Sequence, residues 1–485
     1  MSKNGWPGAG VLIPLLALAL LPGAAGSLGA QTGIPAGTPA GTQTGAGEKL
    51  RLTVDEAVDL ALRNNLSLQA GAIALDTKKR ASDLVWNQFL PDLAVRGTLA
   101  GQNEASSQRM PTGLDPLTYT FQYTDMKLPQ WHVQGNFSAS LTLSAALFAG
   151  VQAIKADYQA GIITYEKARI QTERDIRKAY NEMLLLMENI ALLRESYAAA
   201  ERQVAMAQAN YLAGLAPQLT LLQAQVSRDN LNPTIDQAEN GLILSQARFA
   251  MALGLPYETQ FELTAVAEDP NFIPLDLAEL ISQAARGKPD IRELQSQLAA
   301  LEKTRKARAL QTQTPYLRFD WNVNPTFTQD PWKENWFKKD NWNDGGTFSI
   351  TVGISLNSLF SFTKEGQAIK DIDNQIKTTV NGITQMIRGT ELEIYNTILA
   401  LEQVQSTVEA QNQTAAMAEQ AFKLTEEAYR AGLQDLLQVQ NAELQLRQAR
   451  VEILRQQFSY RNSLIDLEYA VGLPFGTLSS QERGN

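Results

Sequence analysis

Tyr429-Arg430-Ala431-Gly432-Leu433 and Tyr211-Leu212-Ala213-Gly214-Leu215 are two copies of one short turn, 218 positions apart, and each lies between long helical runs. The helix after each copy ends in a second shared signature, Leu253-Gly254-Leu255-Pro256 and Val471-Gly472-Leu473-Pro474, at the same offset. A repeat held at one offset across a turn and a helix stop marks a doubled fold. Each half is built around a long helix–turn–helix.

The runs on either side of the turns carry heptads. From Leu147 to Leu212 there is no proline, and glycine occurs only near the start, so the spacing predicts one helix of about 100 Å. Met183, Ile190, Tyr197, Val204 and Tyr211 form one row, with Leu186, Leu193, Ala200 and Ala207 beside it. Leu401, Val408, Ala415, Phe422 and Tyr429 form the matching row of the second half, and Leu437, Leu444, Val451, Phe458 and Ile465 continue after its turn. Such rows require partner helices, and small alanines permit close approach. Pro233 is expected to kink or interrupt the helix after the first turn.

Upstream of each hairpin lies a shorter helical plan. Thr53-Val54-Asp55-Glu56 is a capping box opening a helix through Leu62, which resumes after Asn64-Asn65 to about Phe89. In the second half, a helix from Asp276 to Arg286 is interrupted by Gly287-Lys288-Pro289 and resumes to about Gln313.

Four segments alternate with period two instead. Val133, Gly135, Phe137, Ala139, Leu141 and Leu143 alternate with His132, Gln134, Asn136, Ser138, Ser140 and Thr142. Phe348, Ile350, Val352 and Ile354 alternate with Thr347, Ser349, Thr351 and Ser355. Leu93, Val95 and Leu99 against Asp92, Arg96 and Thr98 make another, as do Leu317, Phe319, Trp321 and Val323 against Arg318, Asp320, Asn322 and Asn324. Each is a strand with one apolar and one polar face, about 10 residues long; taken singly such a strand fits one face on a soluble core, and its length also suits a tilted strand crossing a bilayer. The polar faces carry Arg96, Arg318 and Asp320, expected to face a lumen. The joining segments, Gln102 to Gln130 and Gln329 to Gly345, read as long polar loops, the second with Trp332, Trp336 and Trp342.

The N-terminus has Lys3, an apolar run from Val11 to Leu21 and small residues from Gly23 to Ala30, the layout of a secretory signal with cleavage after Gly26 or Ala30; a retained anchor is the alternative, for which the apolar run is short. A Gly/Thr/Pro/Ala tract follows as a flexible linker. Beyond residue 30 no apolar run is long enough to cross a bilayer as a helix, so insertion must use strands. The expected plan is signal peptide 1–30, linker 31–49, first repeat 50–256, inter-repeat linker 257–275, second repeat 276–474 and tail 475–485.

Chemistry is tightly bounded. The net charge of −9 argues against nucleic acid as partner, and one histidine with no cysteine excludes disulfides, zinc-thiolate sites and histidine triads. No phosphate loop, HExxH or dinucleotide fingerprint occurs in a fitting context. No catalytic residue, metal site or cofactor is expected. Four strands cannot close a membrane barrel alone, since the smallest have eight. Two copies supply eight strands and three supply twelve, and spacing does not choose between them.

The order of helix, strand pair, helical hairpin with an Ala-Gly-Leu tip and Gly-Leu-Pro stop, all repeated from Leu52 to Pro474, resembles the TolC family of outer-membrane efflux and secretion channels. The resemblance implies a mainly α fold with membrane β: a homotrimer whose twelve-stranded outer-membrane barrel continues into a periplasmic α-barrel of long hairpins. It implies an exit duct in the outer membrane of a Gram-negative-type cell, with most of the chain in the periplasm, joined through a periplasmic adaptor to an inner-membrane pump and opened by iris-like movement of the helix tips. In that family adaptor hairpins dock at the tips, which here are Ala213, Gly214, Leu215, Ala431, Gly432 and Leu433. The family's constriction places acidic residues six and nine positions beyond the second tip glycine. This sequence has Gln438 and Asn441 there, with Thr220 and Gln223 as first-half counterparts, so constriction by hydrogen bonding and packing is expected; Asp435 is the nearby charge. The alternative is a periplasmic coiled-coil adaptor or scaffold, which needs one hairpin flanked by compact β modules. This chain has two hairpins and few strands.

Overall fold

A computed structural model describes residues 49–103, 107–127, 130–264, 275–327, 329–355, 360 and 362–480. The expected signal segment and all but the end of the 31–49 linker lie outside the described residues.

The first half begins with strand β1 (Leu50–Leu52) and helix α1 (Val54–Asn64). Thr53 starts α1 through the capping box: Glu56 N–H donates to Thr53 Oγ1, and Thr53 N–H donates to the Glu56 carboxylate at 2.8 Å. Asn65 caps α2 (Leu66–Asp83), which ends before Phe89 in a 3₁₀ turn over Val85–Phe89. Strands β2 (Asp92–Gly101), β3 (Ser107–Leu114), β4 (Phe121–Lys127) and β5 (Trp131–Ser144) follow. α3 (Ala145–Leu212) is the long helix, uninterrupted over 68 residues. After the tip come α4 (Gln218–Asp229), α5 (Leu231–Ala252) and β6 (Phe261–Leu263). The break between α4 and α5 has a direct cause. Pro233 has no N–H for the Asp229 carbonyl four residues back, and its ring crowds that carbonyl, so α4 ends at Asp229.

The second half repeats the plan with α6 (Leu277–Gly287), α7 (Pro289–Gln313), β7 (Tyr316–Phe327), β8 (Trp342–Gly353), α8 (Lys364–Arg430) and α9 (Leu436–Val471). α10 (Thr477–Ser480) closes the described chain. Asp276 caps α6, and Pro289 opens α7 at the first helical position, where its missing N–H costs nothing.

Each long helix is flanked by shorter ones stacked end to end: α3 by α2 above and the pair α4 and α5 below, α8 by α7 above and α9 below. The stacking points are the Gly-Leu-Pro stops. Around them lie two apolar cores. One gathers Ala57, Ala61, Tyr180, Met183, Phe249 and Phe458, and the other gathers Leu280, Ile394, Leu401, Tyr460 and Leu467. A fully buried side chain of this size contributes about 1.5–3 kcal/mol. β1 pairs in parallel with β6, bringing the segment expected as the inter-repeat linker back onto the chain's start, and Tyr180 Oη donates to the Leu52 carbonyl at 3.0 Å.

The main sheet has four antiparallel strands in the order β2-β5-β7-β8. The two halves therefore join through β5 and β7. β2 and β7 run away from the helices, and β5 and β8 run back into α3 and α8, so every long helix leaves from one end of the sheet. The other end carries the connections. Here the expected polar loop after β2 contains a hairpin, β3–β4, which among the described residues pairs only with itself. Period-two alternation is weak there because Pro111 and Gly113 sit at a register shift.

Candidate functional site

Register converts four separate alternations into two continuous faces. Val95, Phe137 and Val323 lie directly across from one another, as do Leu93, Ala139, Trp321 and Phe348. Leu141, Phe319 and Ile350 make the next rank, then Leu143, Leu317 and Val352. On a protein folding in water this face would be covered. Here Val95 is 82% exposed, Val352 72% and Phe348 65%. A contiguous apolar face of this kind is a membrane or protein contact surface.

The opposite face is rich in hydroxyls and amides. Arg96 lies across from Asn136, which donates from its side-chain amide to the Asn324 side-chain oxygen; Asp320 lies between Ser140 and Ser349. Arg318 pairs with Asp320 at 2.9 Å. The structure thus brings Arg96, Arg318 and Asp320 to one polar face.

At the far end of the helices the two turns have one geometry. Gly214 and Gly432 take φ of 75° and 73°, a left-handed conformation that glycine adopts without a Cβ penalty. In the first, Leu215 N–H donates to the Asn210 carbonyl and Gly214 N–H to that of Tyr211; in the second, Leu433 donates to Ala428 and Gly432 to Tyr429. These bonds close each helix with a Schellman motif. Leu215 and Leu433 protrude, 79% and 80% exposed. Ala213 and Ala431 are the residues at which the helices end.

The tips are alike in backbone and unlike in side chains. Tyr429 is buried with Val204, Ala207, Ala224, Leu436 and Val439, and burial raises its phenol above the ordinary value while the Asn210 side chain opposes that rise. Tyr211, its counterpart, is exposed. Asp435 caps α9 by accepting from Gln438 N–H at 3.2 Å, whereas Pro217 holds the equivalent place before α4. Asp435 therefore works first as a helix cap. Gln438 and Asn441 are exposed one turn apart on α9, while on α4 Gln223 is exposed and Thr220 half-buried. Among the described residues no hydrogen bond joins the α9 pair to the α4 pair within one chain.

The heptad rows divide in the same way. Leu401 and Val408 are buried within the chain, but Leu437 and Leu444 are exposed, and α9 instead turns Leu436, Val439, Leu446 and Ala449 inward. Further along the same row Phe458 is buried in the first core, so only its tip-proximal end faces outward.

One polar network at the level of the stops has no local signature in the sequence. Lys167 of α3 pairs with Asp290 at 2.7 Å and with Glu293 at 2.8 Å, both on α7 of the other half. Tyr469 Oη donates to Asp290 at 2.8 Å and accepts from Gln171 Nε2 at 3.0 Å, and the Arg174 guanidinium stacks over its ring. Burial works against the Asp290 charge, yet the bonds from Lys167 and Tyr469 outweigh it and hold the carboxyl below its usual range. Burial likewise opposes the Lys167 ammonium, and its two carboxylates raise it. Nearby, Lys288 is buried on Glu393 at 2.6 Å, and Glu468 accepts the Gly476 and Leu478 N–H groups, anchoring the segment that ends in α10; burial raises its carboxyl.

The model of the family described as outer membrane efflux protein matches residues 57–255 and 280–473. Among solved structures, the fold is similar to that of CusC, in work on conformational changes accompanying folding and transmembrane channel formation, with TM-score 0.69 and 16% identity over 87% of this chain and 92% of that one. The outer membrane protein VceC of Vibrio cholerae matches with TM-score 0.66 and 15% identity over 87% of this chain and 96% of its own. The Campylobacter jejuni CmeC outer membrane channel matches with TM-score 0.66 and 16% identity over 89% of this chain and 88% of its own. No curated protein matches the sequence.

Proposed function

The chain belongs to the outer membrane efflux protein family, whose members are non-enzymatic transport channels of TolC type, and on that premise we propose that it is the exit duct of a tripartite export system. Three copies close a twelve-stranded barrel in the outer membrane, and their hairpins continue it as a tube that places most of the chain in the periplasm. The observation that carries this reading is the open sheet. It has an apolar face in unbroken register, a polar face behind it, and two edge strands, β2 and β8, with unused ladder groups. Four strands alternating in direction leave β8 antiparallel to the β2 of a neighbour, so copies join edge to edge and abolish the edges. Four-stranded units closing into a membrane barrel need at least two copies, and the outward row Leu437 and Leu444 gives each hairpin a surface for the next.

In this duct Arg96, Arg318 and Asp320 face the lumen. The exposed tips Ala213-Gly214-Leu215 and Ala431-Gly432-Leu433 receive the hairpins of a periplasmic adaptor, which couples the duct to an inner-membrane pump. Gln438, Asn441, Thr220 and Gln223 form the constriction when tips of neighbouring copies converge, and an iris-like splaying of the tips opens it. The segments 50–256 and 276–474 act as two structural repeats.

The test is the protein mass of particles extracted from outer membranes in detergent, measured by light scattering. Three protomers per particle, each conducting particle giving one pore in a planar bilayer, is the expected result. A monomer that stays soluble without detergent overturns the reading.

A further inference from the structure

Between β7 and β8 the chain folds on itself around an aromatic core. Phe327 is fully buried, stacked on Trp336 with ring centroids 5.5 Å apart and met edge-on by Trp342 at 5.2 Å. Trp336 Nε1 donates to the Pro331 carbonyl at 2.6 Å, Trp342 Nε1 to the Trp336 carbonyl at 2.7 Å, and Asn341 Nδ2 to the Asn335 carbonyl at 3.0 Å. Trp332 meets Trp131 of β5 edge-on at 6.2 Å. Four of the seven tryptophans of the chain, 131, 332, 336 and 342, gather here.

Register decides which side of the sheet this segment covers. Phe327 lies across from Val133 and from Trp342, and residues directly across share a face. By alternation that face is the one of Phe137, Trp321 and Phe348, the exposed apolar side. The folded segment therefore rests against the outside of the sheet, not over the mouth of the polar side. It sits on β5, β7 and β8, and its outer surface shows Trp332 and Phe337, 68% and 80% exposed.

We propose that residues 329–341 are an anchor lying in the headgroup layer of the bilayer, with Trp332 and Phe337 seated at its polar–apolar boundary. This rests on the barrel reading above. The surface is continuous with the apolar face of the sheet, and amphipathic aromatic rings settle at that boundary. The partner is the interface itself and not a charged headgroup: Lys333 is paired with Asp330, and the three acids and three bases of the segment balance. Aromatics also mark the other end of the sheet, where Trp86, Phe148, Phe360 and Phe362 are exposed. β5, with 14 residues, separates the two belts by roughly 35 Å along a barrel axis at ordinary strand tilt. That distance places one belt on each side of an apolar band of about 25 Å.

The chain has no cysteine, so Phe337→Cys creates a unique thiol for an environment-sensitive fluorophore in the full-length protein. In neutral phosphatidylcholine vesicles the label is expected to lose emission to lipids bearing a nitroxide near the headgroup and to be protected from aqueous iodide. Leu117→Cys, on the β3–β4 turn and 91% exposed, gives the opposite pattern as control. Deleting 330–340 leaves single-channel conductance unchanged. A label quenched by iodide alone, or a conductance that rises on deletion as for a lid, overturns the anchor. A protein that enters vesicles and conducts with its label in water loses only this inference, whereas one that never enters vesicles overturns both it and the duct.

Discussion

Gly472 and Gly287 meet backbone to backbone: a Cβ on Gly472 would lie 2.2 Å from the carbonyl carbon and oxygen of Gly287. The first half repeats the relation, with Gly254 against the Asn64 carbonyl at the same 2.2 Å. These contacts are where the helix returning from each tip meets the helix that continues toward the sheet. The Asn65 side chain strengthens the Gly254–Asn64 joint by donating to the Ala252 carbonyl at 2.9 Å. The Gly-Leu-Pro signature thus marks a joint as well as a stop.

Gly472→Ala combines a left-handed φ of 80° with a backbone clash, and it is expected to cost about 2–5 kcal/mol. Gly432→Ala has nearly the same φ, 73°, but open space around the new methyl, and costs about 1–2 kcal/mol. Denaturant unfolding of the two variants in one detergent checks the contrast. Equal losses would mean that the joint does not bear on stability.

The Lys167–Asp290 lock predicts acid sensitivity. The Asp290 carboxyl is depressed in the folded chain, so its contribution is fully present above the ordinary aspartate value of about 3.9 and is lost as pH falls through the lower folded value. Asp290→Asn is expected to lose about 1–3 kcal/mol at neutral pH and to flatten the pH dependence of stability below about pH 4. An unchanged acid limb would remove Asp290 from the account.

Opposite faces of one strand predict opposite outcomes for neighbouring positions. Ile350→Lys puts a charge on the apolar side of β8 and is expected to cost about 2–4 kcal/mol of insertion. Ser349→Lys, across from Asp320 on the polar side, is expected to assemble normally and to shift ion selectivity toward anions. Heat-modifiable migration of outer-membrane extracts reads the first effect, and reversal potentials read the second.

The amide constriction we propose predicts weak cation binding. Gln438→Asp with Asn441→Asp, both on the exposed face of α9, is expected to make divalent cations block conductance at roughly tenfold lower concentration than in the parent chain. If the parent is already blocked as tightly, charge must come from elsewhere, with Asp435 the first residue to test.

Much of the fold was legible from the residues in hand. The Thr53 capping box, the Asn65 and Asp276 caps, the break near Pro233 and the uninterrupted run to Leu212 each depend on contacts within a few residues. Other readings failed for lack of such a signal. The hairpin β3–β4 reads as loop because Pro111 and Gly113 dilute its pattern. The row Leu437 and Leu444 keeps heptad spacing without saying that Leu436 and Val439 are the residues turned inward. The conformation of the tip turns was legible from their repeat, while the lock of Lys167, Asp290 and Tyr469 was missed because isolated charges on helices look like solvated faces.

What the sequence by itself determined is what periodicity encodes: two long hairpins, four amphipathic strands and the glycine turns. Such features arise from nearest-neighbour geometry along one element. The tertiary structure alone decided the pairings between distant elements. These are the β5–β7 seam that makes one sheet from two halves, the β1–β6 closure, the joints at Gly254 and Gly472, and the side of the sheet on which Trp336 packs. Each depends on the register between segments far apart in the chain, and a shift of one residue would turn every strand side chain to the opposite face.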